Sequence, residues 1–404
     1  VDVEFRPLTE DDIDQVLRLR AIAFGQFGDR EGYLASVTWR LPYSLGAFSG
    51  GRLRSMSIMI PFEAYVAGRR VTVGGLSGVA TAPEARRLGL VAKGLRRWFE
   101  DLRERGVGWS TEHPFDPTFY ARLGYQTVPN GHTLELPLPR LKAAARGATW
   151  EGGLVAEPAG PEAAPALARV FAPWARRFSF ALTREDGLKP YWDWTFRRPY
   201  GDVTHVAYVA DDAYAVLTVK DEDGRPEGRT VLVVRDLAYS SPAGRRRVLA
   251  LLASFEGQAD AVRLHLPPGD QVAAHWAAYH TVRSPELQVR VVDLAAALGG
   301  LPWPADDRVV LGVSDPDCPW NDGTFVVETG AEAPEGRAGT PGGAPGRRAR
   351  CSRPAPRALT PAHSVKASRN HSGRRWRWRL MNAGKSASRR YVTAWSSALR
   401  TERP

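Results

Sequence analysis

Residues 75–90 constrain this chain most: Gly75-Leu76-Ser77-Gly78-Val79-Ala80-Thr81-Ala82-Pro83-Glu84-Ala85-Arg86-Arg87-Leu88-Gly89-Leu90. The first half predicts a strand, the proline and paired arginines a turn, and Gly89 the entry to a helix. The helix is expected over residues 88–105, with Val91, Leu95, Trp98 and Leu102 on one face. A helix N-terminus offers unpaired backbone N–H groups and a partial positive charge. Arg86 and Arg87 add forked donors for phosphate oxygens. A turn of this kind suits a pyrophosphate. The competing reading is a solvated Arg-Arg turn ahead of an ordinary helix.

The surrounding pattern is α+β. Val3-Glu4-Phe5-Arg6-Pro7 reads as a first strand, and Thr9 caps a helix ending near Phe24. Residues 44–81 read as a strand meander, broken at Gly50-Gly51 and Gly68-Arg69. Residues 107–111 form the next strand. A short helix starts at Asp116 or Thr118 and ends near Gly124, and Gln126-Thr127-Val128 returns as a strand. Residues 140–161, rich in Ala, Gly and Pro, read as a linker. Beyond it a helix (162–178) and strands at 204–209, 214–220 and 230–239 precede Ser241-Pro242-Ala243-Gly244-Arg245-Arg246-Arg247 and an apolar helix. That order repeats the first strand–Pro–Arg-Arg–helix arrangement, without the glycine after the arginines. Residues 287–329 begin a third unit, with a turn-rich loop at Asp315-Pro316-Asp317-Cys318-Pro319-Trp320-Asn321-Asp322-Gly323.

The chain has 404 residues, 43% of them apolar, which is enough for two or three domains. No run of about 18 apolar residues is present, and the acidic N-terminus shows no signal-peptide pattern, so a cytoplasmic protein is expected. Cys318 and Cys351 are too few for a disulfide framework or a structural zinc site. The net charge of +11 comes from one end: residues 331–404 hold 15 Arg and 2 Lys against 3 Glu. Residues 1–330 carry a net charge of −3, which suits a cationic substrate better than nucleic acid.

The turn at 75–90 and the later Phe119-Tyr120-Ala121-Arg122-Leu123-Gly124-Tyr125 together resemble the acetyl-coenzyme A site of the GNAT N-acetyltransferases. Acetyl transfer from a thioester to an amine requires an anchored cofactor, a polarised carbonyl, a deprotonated amine and a protonated leaving thiolate. The resemblance makes Arg86, Arg87, Leu88, Gly89, Leu90, Val91 and Ala92 the pyrophosphate anchor. Val79, Ala80 and Thr81 then pair with the pantetheine arm as a strand edge. Phe115 and Asp116 are further candidate cofactor contacts. Tyr120 is the candidate general acid, because a phenol with a pKa near 10 is protonated at neutral pH; a plain core aromatic is the alternative. Glu112, His113 and Asp116 could attract a cationic amine or relay its proton. No phosphate-loop, dinucleotide or nucleophile-elbow motif is present, and no metal-ligand spacing.

The whole order, with the loop Pro319-Trp320-Asn321-Asp322-Gly323, resembles the Eis (enhanced intracellular survival) family of GNAT N-acetyltransferases over residues 1 to about 330. The resemblance implies a catalytic GNAT domain (1–145), a degenerate GNAT-like domain (146–285) and an incomplete sterol-carrier-protein-like domain (286–330). It implies acetyl-CoA as donor without a metal, amine acceptors such as aminoglycosides or lysine side chains, a homohexamer, Tyr120 as general acid and the chain's terminal carboxylate as base. Here that carboxylate belongs to Pro404, behind an Arg/Pro/Gly-rich tail (331–404) that family members lack. The tail is expected to be disordered, and its composition reads as out-of-frame translation of a GC-rich gene, with a genuine disordered basic tail as the alternative. Two competing functions remain at this level. One is a regulatory protein that binds acetyl-CoA without turnover. The other, ranked lower, is nucleic-acid binding through Arg374, Arg375, Trp376, Arg377, Trp378 and Arg379.

Overall fold

The computed structural model describes residues 2–25, 34, 38–155, 163–184, 205–221, 228–272, 276, 281–283, 286–299, 301–302, 308–329 and 349–352. The chain divides into two units, residues 1–291 and 292–404.

The first unit contains two seven-stranded sheets. The strands run β1 (Glu4–Pro7), β2 (Ser44–Ser49), β3 (Arg52–Val66), β4 (Arg69–Thr81), β5 (Trp109–Glu112), β6 (Gln126–Pro129), β7 (His132–Pro137), β8 (Gly153–Val155), β9 (Val206–Val209), β10 (Ala213–Asp221), β11 (Thr230–Tyr239), β12 (Ala261–Leu266), β13 (Thr281–Arg283) and β14 (Glu286–Val291). The helices are α1 (Ile13–Phe24), α2 (Leu90–Glu104), α3 (Pro117–Ala121), α4 (Leu138–Ala145), α5 (Ala163–Ala175) and α6 (Pro242–Ala253).

The first sheet has the order β1-β2-β3-β4-β5-β14-β6 and the second β13-β7-β12-β11-β10-β9-β8. Each sheet therefore borrows a strand. β14 pairs antiparallel with both β5 and β6. β7 pairs with β12 and β13. This corrects two boundaries expected from sequence. Residues 132–137, assigned to the first domain, belong to the second sheet. Residues 286–291, assigned to the third, complete the first. The alternation in Leu287-Gln288-Val289-Arg290-Val291 marks a strand but does not say which sheet receives it.

Ser55 to Ile60 of β3 are buried in succession. Successive side chains point to opposite faces, so both faces of this strand are covered. Val16 and Leu19 of α1 join Ile58, Ile60, Phe62 and Val73 in one core. The second sheet has its own core, built on Leu134, Leu136, Tyr214, Leu217, Leu232 and Leu252. The hairpin turns of the meander fall where expected: Gly50, Gly51 and Gly68 all have positive φ.

The second unit holds α7 (Leu294–Leu298), β15 (Arg308–Val313), β16 (Gly323–Thr329) and β17 (Ala349–Ser352). β16 pairs with both β15 and β17. The loop before β16 is tied to the residue two ahead of α7: Asn321 Nδ2 and Trp320 Nε1 both donate to Val292 O, at 3.0 and 2.7 Å. β17 corrects the expectation that nothing folded follows residue 330. A four-residue strand carrying Arg350, between Gly/Pro/Arg-rich flanks, gives no alternation to read.

Candidate active site

β4 and β5 run parallel but pair only at Val73, Gly74 and Gly75 with Trp109, Ser110 and Thr111. Past that point β4 continues to Thr81, and no described strand pairs with its β5 side. A bulge bends it there: Met56 faces Ala80 while Ile58 faces Ser77, so one extra residue is taken up around Gly78, whose φ is +58°. The β3 side holds the strand end in place. Ser55 Oγ donates to Ala80 O at 3.0 Å and lies 2.9 Å from Thr81 Oγ1. Trp98 of α2 donates to Ser57 Oγ at 3.0 Å. Val79, Ala80 and Thr81 thus lie along an unpaired strand edge inside a gap between two diverging strands.

The chain leaves this edge through a fixed turn. Ala82 N donates to Arg54 O at 2.8 Å, and Arg54 pairs with Glu84 at 2.7 Å. Arg86 is extended, with φ −66° and ψ 153°. Arg87 has φ +66°, and Gly89 has φ +72° as the N-cap of α2. The helix has no side-chain cap and no acidic residue in its first turn. Its first internal bond runs from Lys93 N to Gly89 O at 3.1 Å. The N–H groups of Gly89, Leu90, Val91 and Ala92 are therefore left without an intrahelical acceptor. A Cβ built on Gly89 meets nothing within 4 Å, so the space beside the N-cap is open. Arg86, Arg87 and Leu88 are exposed beside it.

The equivalent turn of the second sheet is closed by the protein itself. Ser241 caps α6 by accepting from Gly244 N at 2.9 Å. Ser241 Oγ donates to Asp212 Oδ2 at 2.5 Å, and Arg247 pairs with Asp212 Oδ1 at 2.6 Å. A Cβ on Gly244 would lie 2.4 Å from Asp212 O. A carboxylate of the chain occupies the region where a ligand phosphate would otherwise be drawn.

On the other side of the gap, Asp116 caps α3, accepting from Thr118 N and Thr118 Oγ1 at 2.8 Å each. The Thr118 side-chain bond, ahead of the backbone one, holds its carboxyl below the ordinary value. Asp116, expected to touch a cofactor, is engaged in starting the helix that carries Tyr120. Tyr120 is only 4% exposed. Its ring meets Phe119, Phe115 and Tyr125 edge-on, with centroids 4.9, 5.8 and 5.9 Å away. Phe115 is 76% exposed, so the aromatic series runs from solvent to the fully buried Tyr125. Burial, and secondly the charge of Glu112, push the Tyr120 phenol well above its ordinary pKa.

A polar layer lies around this tyrosine. Ser110 Oγ donates to Gly74 O at 2.9 Å, so the 2.7 Å contact with Tyr125 has the phenol as donor. Glu112, expected on a loop with His113, ends β5 instead and is buried. Gln288 and Arg290 come from β14 and were not singled out from sequence. Gln288 faces Glu112 on one side and Thr127 on the other; Arg290 faces Ser110. Gly124 suits its place: its φ is +83°, which disfavours other residues, and a Cβ there would sit 2.7 Å from the Arg290 Cζ and displace that side chain. The alternation of Gln288 and Arg290 with apolar residues was a usable signal, but only with the sheet assignment in hand. Pro404 lies outside the described residues, as do the tail arginines and tryptophans. Among the described residues no group of His, Cys, Asp or Glu could hold a metal, and no helix is long and apolar enough to cross a membrane.

Residues 4–128 match the acetyltransferase (GNAT) domain family, and residues 181–291 match a second acetyltransferase (GNAT) domain family. Residues 294–352 match the sterol carrier protein domain family. An uncharacterized N-acetyltransferase of Streptomyces avermitilis is 24% identical over 70% of this chain and 71% of its own length. One from Streptomyces coelicolor is 28% identical, with 66% of each chain covered. Among solved structures, a GCN5-related N-acetyltransferase from Anabaena variabilis superposes with TM-score 0.69 at 18% identity, covering 81% of this chain and 83% of that one. One from Kribbella flavida gives 0.67 at 22% identity, covering 88% and 84%. Eis1 from Mycobacterium abscessus gives 0.63 at 19% identity, covering 80% and 82%. The architecture is two tandem GNAT acetyltransferase domains followed by a sterol-carrier-protein-like domain.

Proposed function

We propose that this GNAT-type N-acetyltransferase takes its acetyl group from acetyl-CoA, held at the first domain, and delivers it to an amine of a polycationic acceptor such as an aminoglycoside or a lysine side chain. The single observation that carries the reading is the helix N-terminus at Gly89, without a side-chain cap and flanked by the exposed Arg86 and Arg87, at the end of a strand that parts from β5, after which comes the buried Tyr120. The residues fit the coenzyme. The N–H groups at 89–92 and the two guanidiniums suit its pyrophosphate, and the free edge at Val79, Ala80 and Thr81 suits its amide-bearing arm. Bound there, acetyl-CoA supplies an activated thioester carbonyl.

The chain's own contribution is protonic and electrostatic. The amine nitrogen forms a bond to the carbonyl carbon, the carbon–sulfur bond breaks, and Tyr120 donates its proton to the departing thiolate. The amine must lose a proton in turn. The Eis resemblance suggests a carboxylate at the end of the polypeptide as the acceptor of that proton. The −3 net charge of residues 1–330 supports a cationic acceptor. Membership of the Eis family, a hexameric assembly and a cytoplasmic location belong to the same proposal.

Thiol release from acetyl-CoA, measured with a panel of aminoglycosides, polyamines and lysine peptides, tests it. Tyr120→Phe should lower kcat by about 10²–10⁴-fold, the range for a lost general acid. The Kd for acetyl-CoA should stay close to wild type. Unchanged turnover removes Tyr120 from the reaction.

A further inference from the structure

The helix that carries Tyr120 is five residues long. A helix so short has no stability of its own and must be held by its surroundings. Asp116 holds its start through Thr118. A second hold comes from far along the chain. Gln288 of β14 donates from Nε2 to Pro117 O at 3.1 Å, a bond spanning 171 residues. The same amide nitrogen donates to Thr127 Oγ1 at 3.1 Å. Both amide hydrogens are thereby used, one on the first residue of α3 and one on β6. Gln288 is 1% exposed, and its Oε1 is buried without a hydrogen-bond partner. A buried amide with an unmet carbonyl is costly, and an apolar side chain of similar size would fill the space without that cost. What an apolar residue cannot supply is the pair of donors.

We infer that Gln288 is a positioning residue for the acid: it fixes the register of α3 on the sheet, and so the place of the Tyr120 hydroxyl. The inference rests on the reading of Tyr120 as general acid. It makes the catalytic geometry of the first domain depend on a strand that follows the whole second domain.

The test uses the full chain and a kinetic cycle. Gln288→Met keeps length and bulk and removes both donors. It should lower kcat about tenfold while the KM for acetyl-CoA changes less than twofold, since the pyrophosphate turn is untouched. In the Tyr120→Phe background the same substitution should lower kcat no further, because the group it positions is already gone. An equal fall in both backgrounds, or a KM that moves with kcat, marks a general structural loss and overturns the inference. So does an unchanged kcat in Gln288→Met when Tyr120→Phe alone is impaired. A wild-type rate in Tyr120→Phe alone removes the acid itself, and this inference with it. Should Gln288→Met fail to fold, Thr127→Val loses one of the two bonds and should give a smaller fall with the same dependence on Tyr120.

Discussion

Arg87 offers the sharpest separation of stability from function. Its φ of +66° lies in the left-handed region, which a residue with a side chain enters at a cost of about 1 kcal/mol. Glycine at this position would relieve that strain. Glycine also loosens the unfolded chain, which takes back roughly 0.5–1 kcal/mol. The two nearly cancel, so Arg87→Gly should unfold within about 0.5 kcal/mol of wild type. Arg86 is the control. It is extended, with φ −66° and ψ 153°, so glycine there brings the entropic loss with no relief. Arg86→Gly should be the less stable variant by about 1 kcal/mol. Coenzyme affinity should fall all the same. A charge-assisted hydrogen bond is worth about 1.5–3 kcal/mol. The exposed Arg87 takes the lower end, so binding should weaken roughly tenfold. Thermal unfolding of the ligand-free protein and calorimetric titration with coenzyme A measure the two quantities separately. A loss of more than about 1 kcal/mol in ligand-free Arg87→Gly would show that the left-handed turn carries no relievable strain. Unchanged coenzyme affinity would show that the strain serves something else.

Two further outcomes follow from the site. Burial and Glu112 favour the neutral phenol of Tyr120, so the native form gains stability below the ordinary tyrosine pKa and loses it as pH rises through the raised one. The kcat profile of wild type should therefore show no alkaline limb from this group below pH about 10, and Glu112→Gln should bring the limb closer to that value; a wild-type limb near pH 8 would contradict the assignment. Because Asp212 and Ser241 fill the second turn, calorimetry should find one coenzyme A per chain, and two sites of similar affinity would overturn the reading of that turn as closed.

The parts legible in the sequence were those set by local chemistry. Gly50-Gly51 and Gly68 marked the meander turns because the left-handed backbone there favours glycine. Pro83, Arg86, Arg87 and Gly89 announced the turn and helix start because a proline and a glycine break the strand just ahead of a run with helical period. Asp116 was readable as a start of α3, as an N-cap. The misread parts depended on partners remote in sequence. Glu112 looked like a loop residue because β5 ends beside a strand supplied 176 positions later, opposite Gln288. The polar layer of Gln288 and Arg290 had no meaning until β14 was placed between β5 and β6.

The exchanged strands also govern how the protein comes into being. The first sheet has a vacant slot between β5 and β6 until β14 arrives, and the second needs β7, which is made directly after β6 of the first. Neither half is a unit that can finish folding by itself during synthesis. On the inference drawn for Gln288, the helix carrying Tyr120 takes its final register only after the second domain's strands have been made and Gln288 has left the ribosome. Such long-range closure slows folding and leaves open strand edges exposed while it waits. The same chain order that unites the two halves therefore ties completion of each sheet to synthesis of the other.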